Sequence, residues 1–253
     1  MNNIKEKSIV FQNAQGLNLW GVLSLPKGKN LPGIIVVHGF KGTKSQRKFV
    51  KLAREFAKKG IAVFRFDFSG HGDSEGRFEK LRVSQQVNDL KAAYKTFAAQ
   101  PNIDKNRIGI LGYSLGSLVT CLFALKCPTI KALVLLAPAI DQKRLIKDWY
   151  SYYELRKWKK QGYIDKDEFR IGVQYLNEAK DYTELVSKIK IPTLILQGKK
   201  DKAVLPKYSQ DLVKKFSGIK KLILIKEANH SFEGYYACKK MIGYSFAWFK
   251  KYL

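Results

Sequence analysis

Cysteine, histidine and acidic residues are all scarce in this chain of 253 residues, and each shortage removes a class of explanation. The three cysteines, Cys121, Cys127 and Cys238, are odd in number and lack CxxC or metal-ligand spacing. Neither a disulfide framework nor a metal site is therefore expected. No apolar run approaches the roughly 20 residues that a membrane-spanning helix needs, the stretch 132–139 being among the longest. The opening MNNIKEKSIVFQN is polar and soon strand-like, unlike a secretory leader, so a cytoplasmic protein is the expectation. Acidic residues number 21 against 47 Lys and Arg, a formal net charge of +26. Such a surface attracts anions in principle. The lysines are nevertheless spread along the whole chain, with no compact basic arm and no nucleic-acid-binding motif. Nucleic acid is not expected as a partner, and the charge reads as a solvated, lysine-rich surface.

Apolar material, by contrast, is plentiful: 45% hydrophobic and 13% aromatic residues suffice for one large α/β domain carrying an insertion. Residues 8–13 and 17–25 predict two strands paired antiparallel around Ala14-Gln15-Gly16. The wholly apolar 33–37 (GIIVV) predicts a strand covered on both faces. Residues 45–59 predict a helix, with Phe49, Leu52, Ala53 and Phe56 at three- and four-residue spacing and Gly60 as its stop. Further strands are expected at 61–66, 108–111, 132–136, 192–197 and 220–225, and helices at 82–100, from Ser117 onward, at 206–216 and at 234–252. Strands alternating with helices argue for a mostly parallel sheet flanked by helices. The alternation breaks across 139–190, which is dense in aromatics and charge and has no strong strand signal. That stretch reads as a largely helical insert, a cap on a core formed by residues 1–138 and 191–253.

Residues 107–124 (RIGILGYSLGSLVTCLFA) hold the most informative local pattern. An apolar run enters Gly112-Tyr113-Ser114-Leu115-Gly116 and a helix-compatible segment leaves it, the arrangement that raises a serine hydroxyl above the end of a strand. Side chains in place of Gly112 or Gly116 would crowd so tight a turn. A serine hydroxyl is a weak nucleophile at neutral pH and needs a base within hydrogen-bond reach. Of the three histidines only His230 follows Ser114, just past the last expected strand, and this architecture orders its partners serine, acid, histidine. Loops after strand C-termini gather at one edge of a parallel sheet, so the two residues can meet there. Asp201 directly follows the 192–197 strand and is favoured as the acid over Asp211, which lies inside an expected helix. Charge developing on a carbonyl oxygen under attack calls for N–H donors. The Leu115 N–H is one candidate, and the Phe40 N–H, from the loop after 33–37, is the other. His38 and His71 are assigned structural roles in neighbouring loops.

HGFKG at 38–42, DFSGHGDSEG at 67–76, GYSLG at 112–116, GKKD at 198–201 and ANHSF at 228–232 together resemble the α/β-hydrolase superfamily over nearly the whole chain. The FDFSGHGDSEGRFE wording and the 139–190 insert are most similar to small esterases of the cinnamoyl (feruloyl) type, and more loosely to monoacylglycerol lipases. The resemblance implies an α/β-hydrolase fold with an eight-stranded, mostly parallel sheet and an inserted cap. It also implies a triad of Ser114, Asp201 and His230, an oxyanion hole at Phe40 and Leu115, and no cofactor. The activity implied is hydrolysis of a small-molecule ester through an acyl-enzyme, on small aromatic or medium acyl esters; a homodimer is compatible with it. The residues that grip the aromatic acid in feruloyl esterases find no clear counterparts in 139–190. A monoacylglycerol lipase or lysophospholipase, a serine aminopeptidase, and a non-catalytic binding module of the same fold stay open as alternatives.

Overall fold

The computed structural model describes residues 4–253, and in it the apolar runs sort by period into strands and helices. The strands are β1 (Lys5–Gln12), β2 (Asn18–Leu25), β3 (Leu31–Val37), β4 (Ala62–Phe66), β5 (Ile103–Tyr113), β6 (Ala132–Leu136), β7 (Tyr163–Lys166), β8 (Phe169–Gly172), β9 (Thr193–Gly198) and β10 (Lys220–Ile225). The helices are α1 (Arg47–Lys58), α2 (Val83–Ala98), α3 (Leu115–Ala124), α4 (Gln142–Trp149), α5 (Tyr152–Gln161), α6 (Val173–Asn177), α7 (Pro206–Lys215) and α8 (Tyr235–Tyr252). Eight strands form one sheet in the order β1-β2-β4-β3-β5-β6-β9-β10. Pairing is antiparallel at β1–β2 and β2–β4 and parallel everywhere else. This is the α/β-hydrolase architecture expected from the motifs.

The two-residue period of a strand sends alternate side chains to opposite faces, which explains why the central strands are apolar throughout. Ile35, Val37, Phe64 and Ile110 join Leu90, Phe97 and Leu118 in one buried cluster, on the side of α2 and α3. Ile34, Val36, Val63 and Leu111 join Phe49, Leu52, Phe56 and Phe249 in the other, on the side of α1 and α8. With both faces covered, the ends of the strands are left as the place where loops meet.

Several boundaries shift by a few residues from expectation, two of them on either side of the serine turn. β5 begins at Ile103, ahead of the apolar run, because Ile103 pairs with Leu31 across a register shift in the β3–β5 ladder. α3 starts at Leu115 rather than Ser117, with Ser114 itself as the flanking cap residue.

Residues between β6 and β9 hold α4, α5, α6, a 3-10 turn at Thr183–Lys188, and the antiparallel β7–β8 hairpin. The hairpin corrects the expectation of a stretch without strands. Its arms are four residues each, too short for alternation to stand out, although Ile164 and Ile171 are buried beside exposed Asp165 and Arg170. α5 is framed by local chemistry, a Ser151–Glu154 capping box at its start and Gly162 at φ 82° at its end. Trp158 is fully buried and packs against Tyr150 and Tyr175, with ring centroids 5.2 and 6.4 Å away. All three belong to the cluster on the α2–α3 side of the sheet. Among the described residues, no helix is long and apolar enough to cross a membrane.

Candidate active site

β5 delivers Ser114 to the C-terminal edge of the sheet in a conformation rare for a residue with a side chain, φ 53° and ψ −119°. Such a position costs on the order of 1–3 kcal/mol and persists only when its surroundings over-determine it. Here the Ser114 N–H donates to the Leu136 carbonyl at 2.8 Å, and its own carbonyl accepts from the N–H groups of Ser117 at 2.9 Å and Ala139 at 3.2 Å. Two glycines let neighbouring backbone close in. A β-carbon at 116 would run into the carbonyls of Val37 and His38, and one at 39 would lie 3.0 Å from the Ser114 β-carbon. The loop that carries Phe40 is thereby seated on the first turn of α3, where Leu115 follows Ser114. Among the described residues neither the Phe40 nor the Leu115 N–H donates to a protein acceptor.

The structure brings the other two sequence-derived residues to the same edge. His230, in the loop between β10 and α8, has Nε2 3.1 Å from Ser114 Oγ and Nδ1 2.8 Å from Asp201 Oδ2. Asp201 follows β9 and is buried at 3% exposure. Its carboxylate is held on every side: Oδ1 accepts from the Ala203 N–H at 2.9 Å and the Val204 N–H at 2.8 Å, and Oδ2 also accepts from Gln197 Nε2 at 2.9 Å. Gln197 is fixed in turn by the Ser209 hydroxyl, which donates to its Oε1 at 2.7 Å. With acceptors only on Asp201, the His230 Nδ1 carries the proton and Nε2 is left to accept from Ser114. Asp211 lies on α7, half-exposed beside Lys214, and does not join this group.

His38 and His71 line the adjoining loops. The Phe68 N–H donates to His38 Nε2 at 3.2 Å and His38 Nδ1 lies 2.9 Å from the Gly39 carbonyl, so a neutral imidazole ties the Phe40 loop to the loop after β4. Burial pushes His38 well below its ordinary value, with neighbouring His71 adding to the effect, and burial lowers His71 as well. A second tie is ionic. Asp67, fully buried, accepts from the Lys44 ammonium and from the Lys44 N–H, both at 2.6 Å, and the same ammonium also reaches Asp73.

Histidines depressed in the folded state fix the sign of a pH effect. Above about pH 6.5 both states are neutral and contribute no slope. Below it the unfolded chain takes protons first, so stability is expected to fall by up to about 1.4 kcal/mol per pH unit for each histidine. Urea unfolding of the wild type at pH 7.5, 6.5 and 5.5 should show this loss, diminished in a His38→Gln variant; a flat profile would contradict it.

Aromatic rings extend from the site into the 139–190 segment. Phe40 stacks on Tyr175 at 5.2 Å and meets Phe78 edge-on at 5.5 Å, and Phe78 lies 4.5 Å from Phe169. Lys41 donates to the Lys166 carbonyl at 3.0 Å and pairs with Asp167 at 2.7 Å, fastening the Phe40 loop to the β7–β8 hairpin. Gln197 and Lys48 escaped the sequence reading. Gln197 offered no signal beyond ending a strand. Lys48 did: it stands four residues before Leu52 and eight before Phe56, on the buried stripe of α1, where a lysine is out of place. Among the described residues no group of three or more His, Cys, Asp or Glu side chains gathers closely enough to hold a metal ion.

Comparison with known proteins follows the same lines. The family described as serine aminopeptidase, S33 (Hydrolase_4) matches residues 29–163 and 158–234. The mitochondrial palmitoyl-protein thioesterase ABHD10 of Rattus norvegicus is 31% identical over 196 residues, covering 70% of this chain and 61% of that protein, under two thirds of its length. The uncharacterised protein Rv2307c of Mycobacterium tuberculosis is 24% identical over 226 residues, 89% of this chain and 72% of its own. Among solved structures, Est1E from Butyrivibrio proteoclasticus with bound ferulic acid superposes with a TM-score of 0.83 at 22% identity, covering 96% of this chain and 99% of that one. Mouse ABHD10 does so with a TM-score of 0.80 at 23% identity, covering 97% and 99%. Likeness at that identity carries the fold, and the family match carries membership: the chain belongs to the serine aminopeptidase S33 (Hydrolase_4) family of α/β hydrolases.

Proposed function

We propose that this protein is a serine carboxylic-ester hydrolase that works through an acyl-enzyme, with Ser114 as nucleophile, His230 as general base and then acid, and Asp201 holding the imidazole. One observation carries the reading: Ser114 Oγ stands 3.1 Å from His230 Nε2 while the buried Asp201 carboxylate occupies the other ring nitrogen at 2.8 Å. In the first step Ser114 Oγ attacks the ester carbonyl carbon and its proton passes to His230 Nε2. The oxyanion that forms is received by the N–H groups of Phe40 and Leu115. Collapse expels the alcohol, which leaves with the proton from His230. Water then repeats the sequence on the acyl-enzyme and releases the acid.

The 139–190 segment serves as a cap over this site. In support, its Tyr175 ring lies against Phe40, and its Trp149 Nε1 donates to the Ala203 carbonyl at 3.1 Å, beside the Asp201 turn. The half-buried rings of Phe40, Phe78 and Phe169, backed by the buried Tyr175, favour substrates with a flat or apolar acyl group, since pockets commonly pair apolar walls with few polar anchors. Small aromatic or medium acyl esters suit such walls. A second reading, thioester hydrolysis by the same residues, is favoured by the 31% identity to a protein named as a palmitoyl-protein thioesterase.

A substrate panel separates these readings: p-nitrophenyl esters from acetate to palmitate, methyl ferulate, an S-acyl thioester and an aminoacyl p-nitroanilide. Aromatic or medium acyl esters are expected to lead in kcat/KM by about tenfold or more, the scale of discrimination an apolar pocket supplies. A leading S-palmitoyl substrate would establish the thioesterase reading instead. Failure of a fluorophosphonate to label Ser114, together with no turnover across the panel, would leave a non-catalytic binding module.

A further inference from the structure

Behind the loop that carries His230 lies a cavity of about 390 Å³, between the start of α1 and the start of α8. Arg47, Lys48 and Lys51 face it, with Phe232 and Tyr235 as apolar walls and Glu233 as the one acidic side chain. Among the described residues none of these three cations forms an ion pair, in a chain where many others do. Lys48 is the telling one. Its side chain is buried, at 8% exposure, with a single hydrogen bond to the Ser231 carbonyl at 3.2 Å and its ammonium 3.3 Å from the centre of the Tyr113 ring. A buried ammonium without a counter-charge is costly and tends to lose its proton or to find an anion. Burial does pull Lys48 down, to about 7, with Glu233 and Cys238 acting in the opposite direction. Two further features point the same way. α1 opens without a side-chain cap and without an acidic residue in its first turn, although that end of a helix favours negative charge. Gln46, which also lines the cavity, keeps its Oε1 buried without a hydrogen-bond partner, so the amide is not committed to another protein group through that atom.

We propose that this cavity is a binding site for a small phosphorylated molecule, its phosphate held by Lys48, Arg47 and Lys51, and that occupancy steadies the His230 loop. A phosphate suits the site better than a single carboxylate, because it brings nearly two charges and several acceptor oxygens to three cations. The volume falls within the range of small-molecule sites, and the exposed Tyr235 ring offers apolar surface to the remainder of the ligand. The route to the loop is short. Lys48 bonds the residue that follows His230, and the Tyr113 ring lies between the Lys48 ammonium at 3.3 Å and the His230 ring at 5.3 Å. A bound phosphate keeps Lys48 charged, and with it both the Ser231 hydrogen bond and the contact with Tyr113.

The test uses inorganic phosphate and the full chain. Thermal unfolding and calorimetric titration are run with phosphate against sodium chloride of equal ionic strength. Wild type should show saturable binding and a raised melting temperature with phosphate alone. Lys48→Met should weaken that binding by about tenfold or more, as expected for loss of a charge-assisted hydrogen bond. Should Lys48→Met fail to fold, the surface double variant Arg47→Gln/Lys51→Gln, which leaves the buried lysine in place, should weaken it by a similar factor. Absence of a phosphate-specific effect on the wild type, or variants that respond as the wild type does, would overturn the proposal. Because the readout needs no turnover, it stands or falls separately from the esterase reading.

Discussion

Replacing Ser114 by alanine is expected to lower ester turnover by on the order of a thousandfold or more while leaving the melting temperature unchanged. Among the described residues the side-chain oxygen makes one hydrogen bond, to His230, and the turn itself is held by backbone bonds. Alanine keeps the β-carbon and therefore the same unfavourable backbone position at φ 53°, so stability should not move. What is lost is the oxygen proposed to attack the ester carbonyl. A residual rate above water is expected from the remaining N–H donors and from binding alone. Purified Ser114→Ala that kept half of the wild-type rate, or that still took up a fluorophosphonate, would place the nucleophile elsewhere.

Asp201→Asn is expected to be nearly as severe, on the order of a thousandfold to ten-thousandfold in kcat, and for a different reason. The carboxylate accepts four hydrogen bonds, from Ala203, Val204, Gln197 and His230. An amide has one acceptor oxygen, and with that oxygen facing Ala203 and Val204 its NH2 group must face Gln197 and His230. It then donates to His230 Nδ1, which moves the ring proton to Nε2 and removes the acceptor that Ser114 needs. The Gln197 NH2 meanwhile loses one acceptor in a buried place, so a modest fall in stability of about 1–3 kcal/mol should accompany the kinetic loss. Kinetics on a p-nitrophenyl ester together with urea unfolding separate the two effects. Near-normal turnover would mean that another group orients the imidazole.

The two expectations differ in what they ask of the fold. Ser114 depends on a local turn that the residues around it dictate, with small side chains where neighbouring backbone must pass. Asp201 depends on a buried network whose members, Gln197 and Ser209, come from β9 and α7 and carry no recognisable pattern. The same contrast holds for Lys48. Its position on the apolar stripe of α1 is visible in the sequence, but its contacts with Tyr113 and Ser231 are not, because those residues are 65 and 183 positions away along the chain.

Much of the architecture was legible beforehand. Short apolar runs such as 33–37 and 132–136, bounded by turn signals, are what strands covered on both faces require, and the spacing of Phe49, Leu52 and Phe56 is that of one side of a helix. The β7–β8 hairpin was not legible, since four-residue arms show too little of a two-residue period to register. Nor was the placing of the aromatics in 139–190: Trp158 is fully buried while Tyr152 and Tyr153, similar in local sequence, are 76% and 77% exposed. Periodicity along the chain reports what each segment does with its own neighbours, so the element types outside 139–190 and the serine turn were determined by sequence alone. Which ring faces which, which amide braces Asp201, and that a lysine closes one wall of the cavity behind the His230 loop were decided only by tertiary packing. Such contacts join groups far apart in the chain, and only the folded shape fixes the distances between them.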